Sequence, residues 1–241
     1  MPLTKLFHWT CLLFSGLLSY SARCQPSSID TSMNIPISEY HSYLSPEAGL
    51  YRGCEYLQYG HLLKNGHPYF DQGQMQPGSV LYRGILYKDV PLLFDLVKET
   101  LVINNTYKAY KIALIGEEID SFTIQDHIFI HIRDSVHTIF RPGFYQLLHH
   151  GRITLLKKEK KVVREEVDFT TINKLIDYSV AYYLKKDNIW FAVNSEKGLL
   201  RVFGSRGSAC KKFLRRNHLK FRQDKENTLL QSADWYESQP Q

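Results

Sequence analysis

Phe122-Thr123-Ile124-Gln125-Asp126-His127-Ile128-Phe129-Ile130-His131-Ile132 alternates side-chain character on either side of a Gln-Asp break. Phe122 and Ile124 share one face of the first half, and Ile128, Ile130 and Ile132 share one face of the second. A two-residue period carried by β-branched and aromatic residues is the pattern of strands with one buried face. On this reading the isoleucines point into a core, while His127 and His131, with Phe129 between them, take the solvated side.

The same grammar extends in both directions. Residues 79–82 and 85–87 flank Arg83-Gly84, and glycine tolerates the positive φ of a tight hairpin turn. Residues 91–97 and 100–103 flank Lys98-Glu99, residues 144–148 and 153–158 flank His150-Gly151, and residues 177–184 and 189–193 flank a four-residue loop, 185–188. Short strands with no helix of 10 to 15 residues between them exclude a parallel βαβ sheet and predict a meander, roll or sandwich. Upstream, Gly53, Gly60, Asn65-Gly66, Pro68, Gly73 and Pro77-Gly78 leave room for short strands only. A short helix at 39–44 would stop at Ser45-Pro46.

After Val193 the period changes. Ser195 is a good N-cap ahead of Leu199, Leu200, Val202 and Phe203. Gly204 interrupts, Ser205 is expected to cap again, and Ala209, Cys210, Phe213 and Leu214 then recur at helical spacing until Asn217. A third helix starts at Asp224, with Leu229, Leu230, Ala233 and Tyr236 on its apolar side. The expected class is therefore α+β, mostly antiparallel β with a C-terminal basic helical segment. Residues 37–194 form the β-rich domain, and residues 195–241 form a helical tail packed on it.

The N-terminus reads as a secretory signal. Lys5 precedes an uncharged, largely apolar run at 6–20, shorter than the ~20 residues a bilayer span requires. Ala22 and Cys24 stand three and one positions before a cut ahead of Gln25. Arg23 argues against lipidation of Cys24. Residues 25–36 are a polar lead-in. No second run of 18 or more apolar residues occurs, so no transmembrane span is expected in the mature chain. Of the cysteines that remain, Cys54 and Cys210 lie far apart, and two cysteines make no disulfide framework.

Motifs that carry chemistry are absent or weak. His127 and His131 share a strand face, but no third metal ligand is picked out by spacing. Gly204-Ser205-Arg206-Gly207-Ser208 lacks the Gly-Lys-Ser/Thr ending of a phosphate-binding loop and suits helix capping and a hinge instead. Cys54 lacks the surroundings of a protease nucleophile. Glu117-Glu118 and Glu165-Glu166 are adjacent acids that point apart, unlike the facing pair glycoside hydrolysis needs. No catalytic residue, cofactor or metal ligand set is indicated.

Charge is the stronger signal. The chain carries a formal net charge of +6, yet residues 195–222 hold nine Lys and Arg against the single carboxylate Glu196. The candidate anion- or partner-binding residues are Lys211, Lys212, Arg215, Arg216, Lys220 and Arg222. Two successive basic helices resemble a DNA-reading arrangement, but export argues against nucleic acid. An envelope protein, or an anionic lipid or glycan surface, satisfies the same field. The plain alternative is a solvated outer face.

Four blocks, in this order, resemble an uncharacterised family of exported proteins of Bacteroidota. They are Tyr51-Arg52-Gly53-Cys54-Glu55-Tyr56; the run from Gly78-Ser79-Val80-Leu81-Tyr82-Arg83-Gly84 to Phe94-Asp95; Pro142-Gly143-Phe144-Tyr145-Gln146-Leu147-Leu148; and Lys211-Lys212-Phe213-Leu214-Arg215-Arg216-Asn217 with Lys220-Phe221-Arg222. The resemblance implies an envelope location, in the periplasm or on the periplasmic face of the outer membrane. It supplies no activity or site. The leading expectation is a non-enzymatic, partner- or anionic-surface-binding accessory protein. The alternative is an enzyme or small-ligand binder with a site built from residues distant in sequence, around His127, His131 and Tyr87.

Overall fold

A computed structural model describes residues 49–59, 63–105, 109–133, 139–169 and 171–240. The signal segment, the lead-in and the helix expected at 39–44 lie outside the described residues. Eleven described strands form one antiparallel sheet in the order β1-β5-β4-β3-β2-β6-β7-β8-β9-β10-β11. These are β1 (Cys54–Glu55), β2 (Gln76–Tyr82), β3 (Ile85–Asp95), β4 (Thr100–Asn104), β5 (Lys111–Ala113), β6 (Ile119–Ile124), β7 (His127–Ile132), β8 (Gly143–His150), β9 (Ile153–Asp168), β10 (Thr171–Lys186) and β11 (Ile189–Ala192). Three helices follow: α1 (Glu196–Val202), α2 (Gly207–Arg216) and α3 (Lys225–Glu237). The α+β class read from the sequence is the observed one.

Turn chemistry sets the hairpins. Arg83 (φ 53°) and Gly84 (φ 75°) join β2 to β3, with positive φ at both central positions, as the right-handed strand twist demands of a two-residue loop. Asp187 (φ 48°) and Asn188 (φ 63°) join β10 to β11 in the same way. Lys185 and Lys186, expected in that loop, instead pair with Trp190 and Ile189. The pieces expected at 85–87 and 91–97 are one strand, β3. Asp89 at φ 55° and a register shift between Gly78 and Val80 bend the pair without breaking it. Gly78 is required there, since a Cβ would lie 2.1 Å from the Thr123 carbonyl oxygen.

Bending has a purpose. In a flat sheet β3 and β8, four strands apart, would be separated by about 19 Å. Yet Phe94 of β3 and Phe144 of β8 have ring centroids 5.8 Å apart, and Phe94 reaches Phe129 of β7 at 5.4 Å. Phe122 stacks on Phe129 at 4.6 Å beneath them. The sheet therefore curls around a phenylalanine core that also takes in Phe70, Tyr82, Leu92 and Ile103. Past the end of β3 the curl closes on β9. The Lys161 amide donates to the Leu96 carbonyl at 3.3 Å, and Lys158 pairs with Glu99 at 2.6 Å.

This core inverts the expected facing of β7. Phe129 is buried and Ile128 is 45% exposed, so His127, Phe129 and His131 take the inner side. Both faces of β7 are apolar enough to bury. The aromatic ring prevails because it completes edge-to-face and stacked contacts with Phe70, Phe94 and Phe122.

Sixteen-residue strands β9 and β10 pair along their whole length. The sequence, charged at nine of the sixteen positions of β9 and four of β10, reads from periodicity as strand only at 153–158 and 177–184. Backbone pairing carries it further. Lys161 holds the loop beside it, its ammonium donating to the carbonyls of His67 (2.9 Å) and Tyr69 (2.6 Å). Asn65 exchanges two hydrogen bonds with Ile176.

The helices cover the other end of these strands. Ile153 and Leu155 of β9 and Tyr182 and Leu184 of β10 pack with Leu199, Val202, Phe203, Cys210, Leu214 and Leu229. Ser195 caps α1, its hydroxyl accepting from the Gly198 amide at 3.1 Å, and Asp224 caps α3 through the Asn227 amide at 3.0 Å. Ser205 does not cap. It sits within the 3-10 turn Gly204–Arg206, and α2 begins without a side-chain cap. The reverse face of the sheet is closed by Phe140, Tyr145, Leu156, Tyr183 and Trp190.

Phe129→Ala leaves a cavity where three aromatic contacts meet, and is expected to cost about 3–5 kcal/mol, read as a lowered urea midpoint with an unchanged slope. Ile128→Ala, on the outer face, should cost well under half of that.

Candidate functional site

The basic segment does not spread its charge evenly around a helix. Cys210 and Leu214 of α2 point into the core, and Phe213 stacks on Trp235 of α3 at 5.7 Å between ring centroids. Lys211 and Arg215 then fall on one exposed stripe, and Lys212 and Arg216 on another about 100° around the axis, since residues four apart share a face. The helix stops at Asn217, whose amide donates to the Phe213 carbonyl at 3.1 Å. The chain turns back with the Leu219 amide donating to the Leu214 carbonyl at 2.9 Å and with Phe221 buried. Lys220 and Arg222, on either side of Phe221, stay exposed.

Between this return and the start of α1 lies an open groove of about 1070 Å³. Lys211, Arg215, Lys220 and Arg222 line it, joined by Lys197, and Leu214, Leu219 and Phe221 supply its apolar part. Glu196 is the one carboxylate among its lining residues. Four of the six sequence-predicted cations are thus brought together. Lys212 and Arg216 are exposed on the neighbouring stripe and do not line the groove. Sequence reasoning missed Lys197 as a member, and it missed the apolar floor. The alternation Leu219-Lys220-Phe221-Arg222 was the available signal for the latter, a two-residue period lost between two helical ones.

Five cations held around apolar side chains create a positive potential that the surrounding low-dielectric wall focuses. Such a surface holds an anion that also carries apolar substance better than it holds a small hydrated ion.

The positions named for the alternative reading fall in other places. His127 borders a cavity of about 410 Å³ with Asp71, Lys157, Glu159, Lys161 and Tyr178, and His131 borders one of about 330 Å³ with Glu99 and Arg133. Tyr87 is buried in the phenylalanine core and lines neither. The polar groups of the first cavity have protein partners, some within it and some beyond it. Lys157 pairs with Glu159 (2.7 Å) and Glu226 (2.9 Å), Tyr178 donates to Glu159 at 2.6 Å, and His127 meets Gln146 at 2.8 Å. Burial works to lower the Lys157 pKa, but the hydrogen bonds it donates to Glu159 and Glu226 outweigh it and raise the value, keeping the ammonium charged. Burial drives His131 below its usual value, with the Ile119 carbonyl opposing. These are the partners of a structural network rather than an idle acid and base.

Among the described residues no group of three or more His, Cys, Asp or Glu side chains is placed to hold a metal ion, and no helix is long and apolar enough to cross a membrane. Cys54, exposed on β1, and Cys210, on the buried face of α2, are free thiols. Burial pushes the Cys210 pKa up to about 11, which makes it an inert core side chain. Glu118 pairs with Arg83 and Asp120 with Arg133, while the Glu117 carbonyl accepts from the Arg133 guanidinium. No family model, curated protein or solved structure matches this chain.

Helix α3, on which α2 stacks through Phe213 and Trp235, is pinned to the sheet. Arg152, beside the β8–β9 turn, reaches the carbonyls of Tyr236 (2.7 Å) and Gln239 (3.0 Å) and the Glu237 carboxylate (3.0 Å). That carboxylate also accepts from the Ile153 amide at 3.0 Å. Burial tends to raise the Glu237 pKa, but the Ile153 amide, Arg152 and His149 together hold it below 4.5. A carboxyl whose folded value is depressed adds stability above its unfolded value and loses it as pH falls through the folded one. Acidification below pH 4.5 should therefore loosen the helices in the wild type, while Glu237→Gln, already lacking the charge, should show a flatter loss over that range in pH-dependent urea melts.

Proposed function

We propose that this chain is a non-enzymatic envelope protein, exported to the periplasm or the periplasmic face of the outer membrane, that binds an anionic partner through the groove beside α2. The curled sheet serves as its rigid base. The partner is an envelope protein, or a lipid or glycan surface, that presents carboxylate, phosphate or sulfate groups beside apolar substance. One observation carries this reading: Lys211, Arg215, Lys220 and Arg222, read separately from the sequence, converge on a single groove with Leu214, Leu219 and Phe221 as its apolar part. Charges that merely solvate an outer face have no reason to gather around a depression with an apolar floor. The N-terminal signal pattern and the family resemblance support the location, and export removes nucleic acid from the set of anions within reach.

The test is a quadruple substitution of Lys211, Arg215, Lys220 and Arg222 by Gln, set against the pair Lys212→Gln and Arg216→Gln. Binding to anionic-lipid vesicles and to a sulfated-glycan matrix should weaken about 10- to 100-fold in the quadruple variant at low salt, and the wild-type binding should itself fade as salt rises. The pair variant should lose much less. Equal losses in the two variants, or none in either, would reduce the cations to a solvated face.

A further inference from the structure

The far end of the β9–β10 hairpin exposes three large apolar side chains: Val167 (72%), Ile172 (62%) and Phe169 (101%). Val167 and Ile172 are cross-strand partners, so they share a face, and Phe169 stands in the connection between the strands with φ 45°. Water exposure of such a cluster at the end of an arm is unfavourable and marks a contact surface. The flanking residues are acidic. Glu165 is paired by Lys174 at 3.3 Å, Glu166 meets Arg164 only at 3.9 Å, and Asp168 makes no ion pair among the described residues.

The tip is thus apolar with an acidic border, and the groove is apolar with a basic border. They are complementary, yet they cannot meet within one molecule. The helices pack on the root of the hairpin, where the Tyr182 hydroxyl donates to Glu226 of α3 at 2.9 Å. Ile172 lies ten residues from Tyr182 along β10, which is about 33 Å of extended strand. That strand is paired with β9 throughout and cannot fold back.

We propose that copies of this chain associate head to tail, the hairpin tip of one entering the cationic groove of the next. The inference rests on the groove being an anion-binding site and names its occupant as a second copy, whose Asp168 and Glu166 meet the groove cations while Phe169 covers the half-buried Leu219. Such a contact uses two different surfaces, so it repeats into a ring or a filament rather than closing as a two-fold dimer. A fingertip in a groove buries less than the ~1,200 Å² of a standard stable interface, so the association is weak and salt-sensitive.

Two variants of exposed residues decide it: a tip variant, Asp168→Lys with Phe169→Ser, and a groove variant, Arg215→Glu with Lys220→Glu. Light scattering on the purified protein at low salt should show the wild-type mass rising with concentration and falling back on addition of salt. Each variant alone should remain monomeric. An equimolar mixture should double in mass and stop there, because it holds one intact tip and one intact groove per pair. A wild-type mass independent of concentration would overturn the proposal, as would a tip variant that associates like the wild type or a mixture that stays monomeric. So would binding of wild type, but not of the tip variant, to zwitterionic vesicles without growth in mass, since the tip would then be a lipid contact. The sulfated-glycan matrix separates this inference from the reading beneath it. A tip variant retained like wild type, with the groove variant released, leaves the groove an anion site whatever the masses show, whereas full retention of the groove variant removes both.

Discussion

Phe94, Phe122, Phe129 and Phe144 can meet only if the sheet bends, and most of the architecture is a consequence of that meeting. Burying four aromatic rings against one another is worth several kcal/mol beyond the backbone pairing that brings the strands together. The bend is made affordable by a glycine at the β2–β6 approach and by a register shift in the β2–β3 pair. Once β3 faces β8, the end of β3 comes within hydrogen-bonding distance of β9, and Lys161 and Lys158 fasten it there. The strands beyond β8 inherit their positions from this closure.

A second core depends on the first without sharing its residues. The roots of β9 and β10 offer Ile153, Leu155, Tyr182 and Leu184 on one side, and three short helices are needed to cover them. Short helices have little stability of their own. Here the caps at Ser195 and Asp224, together with the Arg152 and Glu237 clasp, hold them to the sheet. The return after Asn217 buries Phe221, and this places Lys220 and Arg222 opposite Lys211 and Arg215. The groove is therefore a by-product of covering a sheet, with its charges placed by helical and extended periods that meet at Asn217.

The hairpins with tight turns were legible because both halves of the signal, alternation and turn residues, agree at Arg83-Gly84 and Gln125-Asp126, whereas the loop expected at 185–188 is narrowed to Asp187-Asn188 by the pairing of Lys185 and Lys186. The helix starts at Ser195 and Asp224 were legible for the same reason. The facing of β7 was misread because alternation fixes a period and leaves the choice of side to whatever packs there. Only the rings of Phe70, Phe94 and Phe122, distant in sequence, settle it. The outer halves of β9 and β10 were invisible because their strand state comes from pairing with each other and from the clamp by Asn65 and Lys161, and neither leaves a hydrophobic period. For the candidate site, the sequence showed the charge but not its division into two stripes. That division follows from the helix axis, and the apolar floor follows from a turn whose residues look like a continuation of the basic tail.

Lys161 occupies an unusual junction. Its amide closes the sheet against Leu96, and its ammonium holds the loop at His67 and Tyr69. Nearer the tip the same loop holds the hairpin again, through Asn65 on Ile176 and through the Lys64 amide, which donates to the Lys174 carbonyl at 3.0 Å. Mechanically the hairpin is a cantilever free only beyond Lys174, so a load at Phe169 is shared by the loop bonds at residues 64–69 before it reaches the hydrogen bond from Lys161 to Leu96 that closes the sheet.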